Sequence, residues 1–244
     1  MSTFTIAAAQ SSPIRGDISA NIRRHETLVA LAEAHGADVI VFPELSLTGY
    51  EPTLAAELAV EPSEEGLRPL SNLAQETGVV VMVGCPIRCG GERPYIGMLA
   101  FQPDAEVAVY RKRFVHTSEE PYFSAGEDTL VISAAGKKIG AAICADVNNP
   151  THAADAARLG AQIYAAGVAK TPGDLDQAEA NMASRAQQHH MLTLMANYTS
   201  ATGGGFRWLA AARSGMSRGI LCVRLRRKVN LWSWHRAVAT AGLD

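Results

Sequence analysis

The sequence lacks strong net charge, long apolar runs and a leader segment, and each absence excludes a class of protein. The net charge at pH 7 is only −2 and 19% of the residues are charged, so no basic excess indicates binding to nucleic acid or to an anionic membrane. No apolar run approaches the roughly 20 residues of a membrane-spanning helix. The first ten residues contain no charged segment followed by a long apolar stretch, so we expect no signal peptide.

Cysteine is also scarce, with only Cys85, Cys89, Cys144 and Cys222 in the chain. Their spacing shows no disulfide framework, which is typical of a protein in the reducing cytoplasm. Cys85 and Cys89 could supply half of a metal site, but no second pair of ligands follows at usable spacing. We therefore expect no metal, and we expect these two cysteines in the core or at a sheet edge.

What is present is a chain of 244 residues with 48% hydrophobic content, which is enough for one large core. Short apolar runs of strand length recur, and most are β-branched or small, as expected for strands covered on both faces. Helical patterns separate several of them, at 19–36, 150–160 and 174–191, and Ser19 is a candidate N-cap of the first. Residues 98–112 are typical of a hairpin with a Pro-Asp turn. The alternation predicts an α/β fold with a mixed sheet, in one domain over residues 1–244.

Three chemically active residues follow strand-like stretches. Glu44 follows "VIVFP", Lys112 follows the second hairpin strand in "AVYRK", and Cys144 follows "IGAAI", where its side chain can meet solvent. In open α/β sheets, ligands gather outside the carboxyl ends of the strands, so these three groups can converge on one pocket. Taken singly, each has an ordinary explanation: a solvated loop acid, a surface lysine and a small buried cysteine.

Together the three residues suit nucleophilic catalysis. A thiol must lose its proton to attack, and a nearby carboxylate can take that proton. Attack on an amide carbonyl produces an oxyanion, which a lysine ammonium and the backbone N–H after the nucleophile can stabilise. The carboxylate can then return the proton to the leaving amine. This chemistry needs no cofactor.

Three segments carry a family resemblance: "FPELSLTGY", "YRKRF" and "GAAICADVNNP". In this order they resemble the signature segments of the nitrilase superfamily, the carbon–nitrogen hydrolases, and the likeness extends over residues 3–204. The resemblance implies a four-layer αββα sandwich and a Glu44–Lys112–Cys144 triad. It further implies hydrolysis of a non-peptide C–N bond through a thioester, with release of ammonia or an amine and an acid. It also implies a homodimer.

The resemblance implies further site residues. The family has a second glutamate before a Tyr-Phe pair, and the spacing to Tyr122 and Phe123 favours Glu119 over Glu120. Its expected role is to hold Lys112.

Four residues are expected to bind substrate. Tyr50 is a candidate pocket wall, Ala145 replaces the family's usual aromatic, and Asn148 and Asn149 follow the nucleophile, although turn chemistry explains the two asparagines equally well. We interpret Asp146 as a turn or cap residue with a secondary part in shaping the pocket.

Several functions remain open on the sequence. An amide, ω-amide or carbamoyl substrate is favoured over a nitrile, because many nitrilases have Glu where this chain has Asp146. A cysteine-dependent acyltransferase would use the same thioester. A catalytically impaired or purely interacting protein is the alternative that residues 206–244 suggest.

Residues 206–244 differ in composition from the rest, with all three tryptophans and no acid before Asp244. Family members continue here with a segment like "GxSxIWDxxGxxL". With freely chosen G/C-rich codons, a shifted frame of "FRWLAAARSGMSRGIL" encodes "PVAGGRSVWDVAGHPL", which restores that pattern. We therefore hypothesise that the chain leaves the family's reading frame near Gly205, and a divergent tail is the alternative. Because burial of Arg226, Arg227 and Lys228 is costly, we expect a weakened apolar face near the C-terminus, and aggregation.

Overall fold

The computed structural model describes residues 4–199 and the backbone of a strand at 219–225. The described residues form two β-sheets and four α-helices. The first sheet contains β1 (Phe4–Gln10), β2 (Val39–Val41), β3 (Val80–Ile87), β4 (Tyr95–Gln102), β5 (Ala105–Arg111) and β10 (Gly219–Leu225). The second contains β6 (Val131–Ala134), β7 (Lys137–Ile143), β8 (Ile163–Gly167) and β9 (Leu192–Ala196). The helices are α1 (Ile18–Ala34), α2 (Arg68–Thr77), α3 (Pro150–Arg158) and α4 (Pro172–His189).

Both sheets mix parallel and antiparallel strands. The first has the order β10-β1-β2-β3-β4-β5 and the second β6-β7-β8-β9. Strands β1, β2 and β3 run parallel, as do β7, β8 and β9. The carboxyl ends of these parallel strands therefore meet at one edge of each sheet, where polar loops can gather.

The layers are helix, sheet, sheet, helix. One apolar cluster joins the inner faces of the two sheets, for example through Ile6, Met98, Ile139 and Ala165, and extends to α3 and α4. A second cluster packs the other face of the first sheet against α1 and α2. The predicted α/β sandwich is thus confirmed.

The predicted helices and hairpin are present, with shifted boundaries. The hairpin is β4–β5, and helical patterns at 150–160 and 174–191 correspond to α3 and α4. The N-cap prediction for α1 is wrong by two residues: the carboxylate of Asp17, and not Ser19, accepts a hydrogen bond from the Ala20 N–H at 2.9 Å. The Asp17 carboxylate, directly before the first helical residue, satisfies a free helix amide that Ser19, inside the first turn, does not cap.

Three elements were not predicted from the sequence. Helix α2 buries only Leu70 and Ala74, which is too short a stripe for a clear helical period. Strand β6 has four residues. Strand β10 pairs antiparallel with β1 and is the described part of the atypical tail. The other predictions for residues 206–244 lie outside the described residues.

Among residues 4–199 and 219–225, no helix is long and apolar enough to cross a bilayer.

Candidate active site

Strand ends from both sheets bring Glu44, Lys112 and Cys144 together. Glu44 follows β2 and Lys112 follows β5 in the first sheet, while Cys144 follows β7 in the second. The approach of the two sheets requires a glycine at 167. A Cβ there would lie 2.5 Å from the Phe42 carbonyl oxygen and 3.2 Å from the Glu44 nitrogen, so any larger residue would push the two sheets apart at this point.

Lys112 lies between two buried carboxyl groups, and we call Glu44, Lys112 and Glu119 the charged cluster. The ammonium donates to Glu44 Oε1 at 2.7 Å and to the two oxygens of Glu119 at 2.7 and 3.0 Å. All three side chains are almost wholly buried. Glu119 also accepts from the Tyr50 hydroxyl at 2.8 Å and from the His116 N–H at 2.8 Å. These bonds hold the lysine in a single position.

Glu44 retains one free oxygen. Its Oε2 is buried and accepts no hydrogen bond within the described part of the chain. Burial raises the pKa of Glu44 to about 7, although the ammonium of Lys112 and the thiol of Cys144 each act to lower it. A carboxyl group with a pKa near 7 can both accept and return a proton at neutral pH.

The charge of Lys112 is maintained by its neighbours. Burial alone disfavours the ammonium, but the carboxyl groups of Glu44 and Glu119 outweigh it and raise the pKa of Lys112. The lysine therefore stays positively charged throughout the neutral range.

Cys144 opens a 3₁₀ turn, Cys144–Asn148, that we call the Cys144 turn. Its φ angle is +41°, and Leu45, next to Glu44, has a φ of +53°. Such left-handed angles cost a non-glycine residue of order 1 kcal/mol or more and occur where function requires a sharp change of direction. The expectation that the cysteine meets solvent is corrected here, because only 8% of its surface is exposed.

The thiol is held neutral at rest. Burial and the carboxylate of Glu44 raise the pKa of Cys144 to about 12, while the ammonium groups of Lys112 and Lys170 lower it. Its Sγ lies 3.9 Å from the Ala169 carbonyl oxygen. Reaction at neutral pH therefore requires that the proton leave as the sulfur attacks.

Asp146 lies in the Cys144 turn, and its hydrogen bonds are to residues outside the charged cluster. Its carboxylate accepts from the Ile143 N–H at 2.9 Å and the Phe114 N–H at 3.0 Å. It therefore closes the turn, as a cap residue does, and also binds the segment that follows Lys112.

The other predicted residues lie around this centre. Tyr50 is buried against Glu119, and Ala145 is half-buried next to Cys144. Asn148 is exposed and accepts from the Asn181 amide at 2.9 Å. Asn149 is the N-cap of α3 and accepts from the Thr151 N–H at 3.0 Å. The backbone and helix contacts of the two asparagines agree with the turn interpretation. Glu120 is exposed, so Glu119 is the member of the pair that lies in the cluster.

Sequence reasoning missed three residues after β8 and β9. The Tyr198 hydroxyl donates to the Glu44 backbone carbonyl. The Asn197 amide binds both backbone groups of Lys170 at 3.0 Å each, which fixes this lysine near Cys144. Polar residues directly after the apolar runs "IYAAG" and "LTLMA" were the available signal.

The donor groups here do not resemble a metal site. No cluster of three or more His, Cys, Asp or Glu side chains suited to a metal ion occurs among the residues with described side chains.

Known proteins match the chain in sequence and in fold. A sequence model described as Carbon-nitrogen hydrolase matches residues 5–236. The chain is 31% identical over 172 residues to the glutamine-dependent NAD(+) synthetase of Thermotoga maritima, a match that covers 67% of this chain and 29% of that protein. It is 29% identical over 196 residues to an (R)-stereoselective amidase of a Pseudomonas species, covering 78% of this chain and 69% of that one.

Among solved structures, a mutant of the amidase from Nesterenkonia sp. AN1 has a TM-score of 0.81, with 23% identity over 91% of this chain and 93% of that chain. At this identity the likeness establishes a shared fold.

Proposed function

The chain belongs to the carbon–nitrogen hydrolase family, enzymes that act on non-peptide C–N bonds, and from this premise we propose that it hydrolyses a small amide through a thioester on Cys144. The observation that carries the proposal is the charged cluster beside the thiol, with Lys112 bound to Glu44 at 2.7 Å and to Glu119 at 2.7 Å. An unpaired Glu44 oxygen and a neutral thiol are the two groups that a proton transfer needs.

In the first half of the reaction, Glu44 takes the thiol proton as Cys144 Sγ attacks the amide carbon. The carbonyl oxygen becomes an oxyanion, which the Lys112 ammonium and the Ala145 N–H stabilise. Glu44 then gives the proton to the amide nitrogen, the C–N bond breaks, and ammonia or an amine leaves. A thioester remains on Cys144.

In the second half, water attacks the thioester carbon and Glu44 accepts a proton from that water. The C–S bond breaks, the acid leaves, and the proton returns to the sulfur. Glu119 fixes the position of Lys112 in both halves. Tyr50 and Ala145 form part of the substrate pocket, and Asn148 and Asn149 remain candidates at its rim.

An amide is favoured over a nitrile as substrate. The amidase relatives in sequence and fold support this choice. Nitrile hydrolysis by the same residues is the second candidate, and the same assay separates the two.

The test is ammonia release from a panel of small amides, carbamoyl compounds, ω-amides and nitriles. We expect release by the wild type and by Cys89→Ala, and none by Cys144→Ala, because Cys144, unlike Cys89, adjoins the charged cluster. Equal release by the Cys144→Ala variant would refute a thioester on this residue. An acyl group passed to an added amine would instead indicate a transferase.

We also propose a cytoplasmic homodimer. The three cysteines with described side chains, Cys85, Cys89 and Cys144, are free thiols, which suits a reducing compartment. The dimer rests on the family resemblance, and sedimentation of the purified chain tests it.

The reading-frame hypothesis for residues 206–244 remains a proposal. Sequencing the coding DNA tests it: we expect one inserted or deleted base near the codon of Gly205, whose correction restores the family pattern. A gene in which no single-base change restores it would leave the divergent tail. In that case we expect an ordinary mesophilic melting temperature and a clean dimer.

A further inference from the structure

A chain of buried, hydrogen-bonded side chains ends on Asp146 in the Cys144 turn. The Tyr110 hydroxyl lies 2.6 Å from Asp146 Oδ2 and 2.7 Å from His152 Nε2. His152 Nδ1 lies 2.8 Å from the Tyr164 hydroxyl. All four side chains are almost fully buried. We call the three uncharged ones, Tyr164, His152 and Tyr110, the neutral relay, and it ends on the Asp146 carboxylate. The reaction described above does not use His152, Tyr110 or Tyr164.

With a neutral imidazole, the relay has one consistent direction of hydrogen bonding. Tyr110 has a single hydroxyl proton, which it donates to the Asp146 carboxylate, so its oxygen accepts from His152 Nε2–H. The other imidazole nitrogen, Nδ1, then accepts from the Tyr164 hydroxyl. This order requires a neutral imidazole, and burial does lower the pKa of His152 below its ordinary 6.5.

The relay ends on the residue that joins two parts of the active site. Asp146 accepts from the N–H of Ile143, which precedes Cys144, and from the N–H of Phe114, two residues after Lys112. One carboxylate therefore ties the end of β7 in the second sheet to the end of β5 in the first. Lys112 and Cys144 come from different sheets, so their separation depends on such a tie.

We propose that His152 is a positioning residue for the hydrolytic reaction. It holds the Tyr110 hydroxyl on Asp146. Through Asp146, it fixes the position of the Cys144 turn relative to Lys112, the lysine that stabilises the oxyanion. The proposal rests on the proposed function only in the role of Cys144 as nucleophile.

A purely structural role is the competing explanation, since buried polar chains also stabilise cores. The two differ in what they predict for a folded variant. A structural residue changes the free energy of unfolding alone, whereas a positioning residue changes the reactivity of Cys144 in the folded protein.

The test measures alkylation of each cysteine by iodoacetamide, mapped by mass spectrometry, so that no substrate need be known. Cys144 reports on the site. Cys89, half-buried at the surface, is the reference for general thiol reactivity. Cys85, with 0% of its surface exposed, becomes reactive only where the domain opens.

The variants remove the relay in graded steps. His152→Leu removes both hydrogen bonds, Tyr110→Phe removes the hydroxyl on Asp146, and Tyr164→Phe removes only the outermost donor. His152→Gln offers an amide N–H to the Tyr110 oxygen and is the conservative variant.

We expect His152→Leu and Tyr110→Phe to slow Cys144 alkylation by between about 10- and 100-fold, the range that misplacement of a reactive group by about 1 Å produces. Cys89 and Cys85 should react as in the wild type. His152→Gln should recover most of the rate, and Tyr164→Phe should have a smaller effect. With an active amide, kcat should fall in the same order while KM stays within about twofold.

Unchanged Cys144 alkylation in His152→Leu and Tyr110→Phe would overturn the proposal while leaving Cys144 as nucleophile. If Cys144 alkylation slows only in variants in which Cys85 also becomes reactive, the proposal is overturned in favour of a purely structural role. If His152→Leu opens the domain, Tyr110→Phe and His152→Gln test the positioning role, because each nearly preserves the volume of the side chain it replaces. Ammonia release that persists in Cys144→Ala would instead overturn the proposed function and the relay together.

Discussion

Two buried polar clusters flank the Cys144 turn, and they are built from opposite chemistry. The charged cluster places one ammonium between two carboxyl groups and leaves Glu44 Oε2 without a partner in the described structure. The neutral relay passes from Tyr164 to Asp146 with a donor and an acceptor matched at each contact. A cluster with a free oxygen can exchange protons, whereas a fully satisfied one can only hold a shape.

A second neutral histidine supports the Glu44 side in the same manner. His25 Nδ1 lies 2.6 Å from the Asn21 carbonyl oxygen and Nε2 lies 2.9 Å from Ser46 Oγ. Ser46 Oγ in turn accepts from the Gly84 N–H at 3.1 Å. Here Nδ1 carries the proton, the reverse of His152. Neutral networks thus hold both sides of the charged cluster.

The largest expected effect comes from breaking the charged cluster. Lys112→Met leaves two carboxyl groups buried without their cation, which should destabilise the fold by about 3 to 5 kcal/mol and abolish ammonia release. Urea unfolding and the ammonia assay measure the two effects. Lys137→Met, at the opposite end of β7 from Cys144, is the matched control and should change neither. Activity of Lys112→Met within tenfold of the wild type would contradict the oxyanion role.

Removing the Asp146 carboxylate, on which the neutral relay ends, should have a smaller effect than removing the Lys112 ammonium. Asp146→Asn replaces one acceptor by a donor that faces other donors, which should cost about 1 to 3 kcal/mol and lower kcat by about 10- to 100-fold. Asp176→Asn, on the exposed face of α4, is the control. Equal kcat in the two variants would show that Asp146 does not transmit position to Cys144.

Acid should weaken the neutral networks through His25. Burial lowers the pKa of His25 from 6.5 to about 4. Below pH 6.5 the unfolded chain binds a proton that the folded chain refuses, so the stability that His25 contributes falls as the pH falls. Between pH 7 and pH 5 the loss is about 2 kcal/mol.

The difference in unfolding free energy between wild type and His25→Asn isolates this loss from the opposite effect of Glu44, whose raised pKa favours folding in acid. It should shrink by about 2 kcal/mol from pH 7 to pH 5. The exposed His190, changed to Asn, should show no such trend. A difference that stays constant with pH would mean that burial does not shift the pKa of His25 in the folded protein.

The smallest expected effect concerns Lys170, the further ammonium group that acts on Cys144. The ammonium of Lys170 lowers the pKa of Cys144, so Lys170→Ala should raise that pKa and slow alkylation of Cys144 by about two- to threefold, a modest change because the lysine is partly exposed. Cys89 is the internal reference, and Lys137→Ala is the control. A rate that does not respond to salt or to the substitution would remove Lys170 from the site.

The family resemblance drawn from three short segments is confirmed. The sequence could show it because each segment is continuous along the chain and follows the end of a strand. Glu119 could be separated from Glu120 only narrowly by spacing, and the structure places it on Lys112 because the turn after His116 buries one glutamate and exposes the next. Asn149 could be a ligand or a cap on the sequence, and its bond to Thr151 identifies the cap. Local geometry of this kind depends on one or two dihedral angles, which a residue pattern does not determine.

By itself, the sequence determined the α/β class, the residues that end β2, β5 and β7, and the chemistry they can perform. The period of apolar residues and the polarity of residues at strand ends are local properties, so they can be recognised directly in the amino-acid sequence. Only the tertiary structure decided that Lys112 is shared by two carboxyl groups, and that Tyr164, His152 and Tyr110 line up behind Asp146. Those contacts join residues up to 68 positions apart, as Lys112 and Glu44 are. Among them, the contacts of Tyr110 with Asp146 and His152 exist because the two sheets pack face to face.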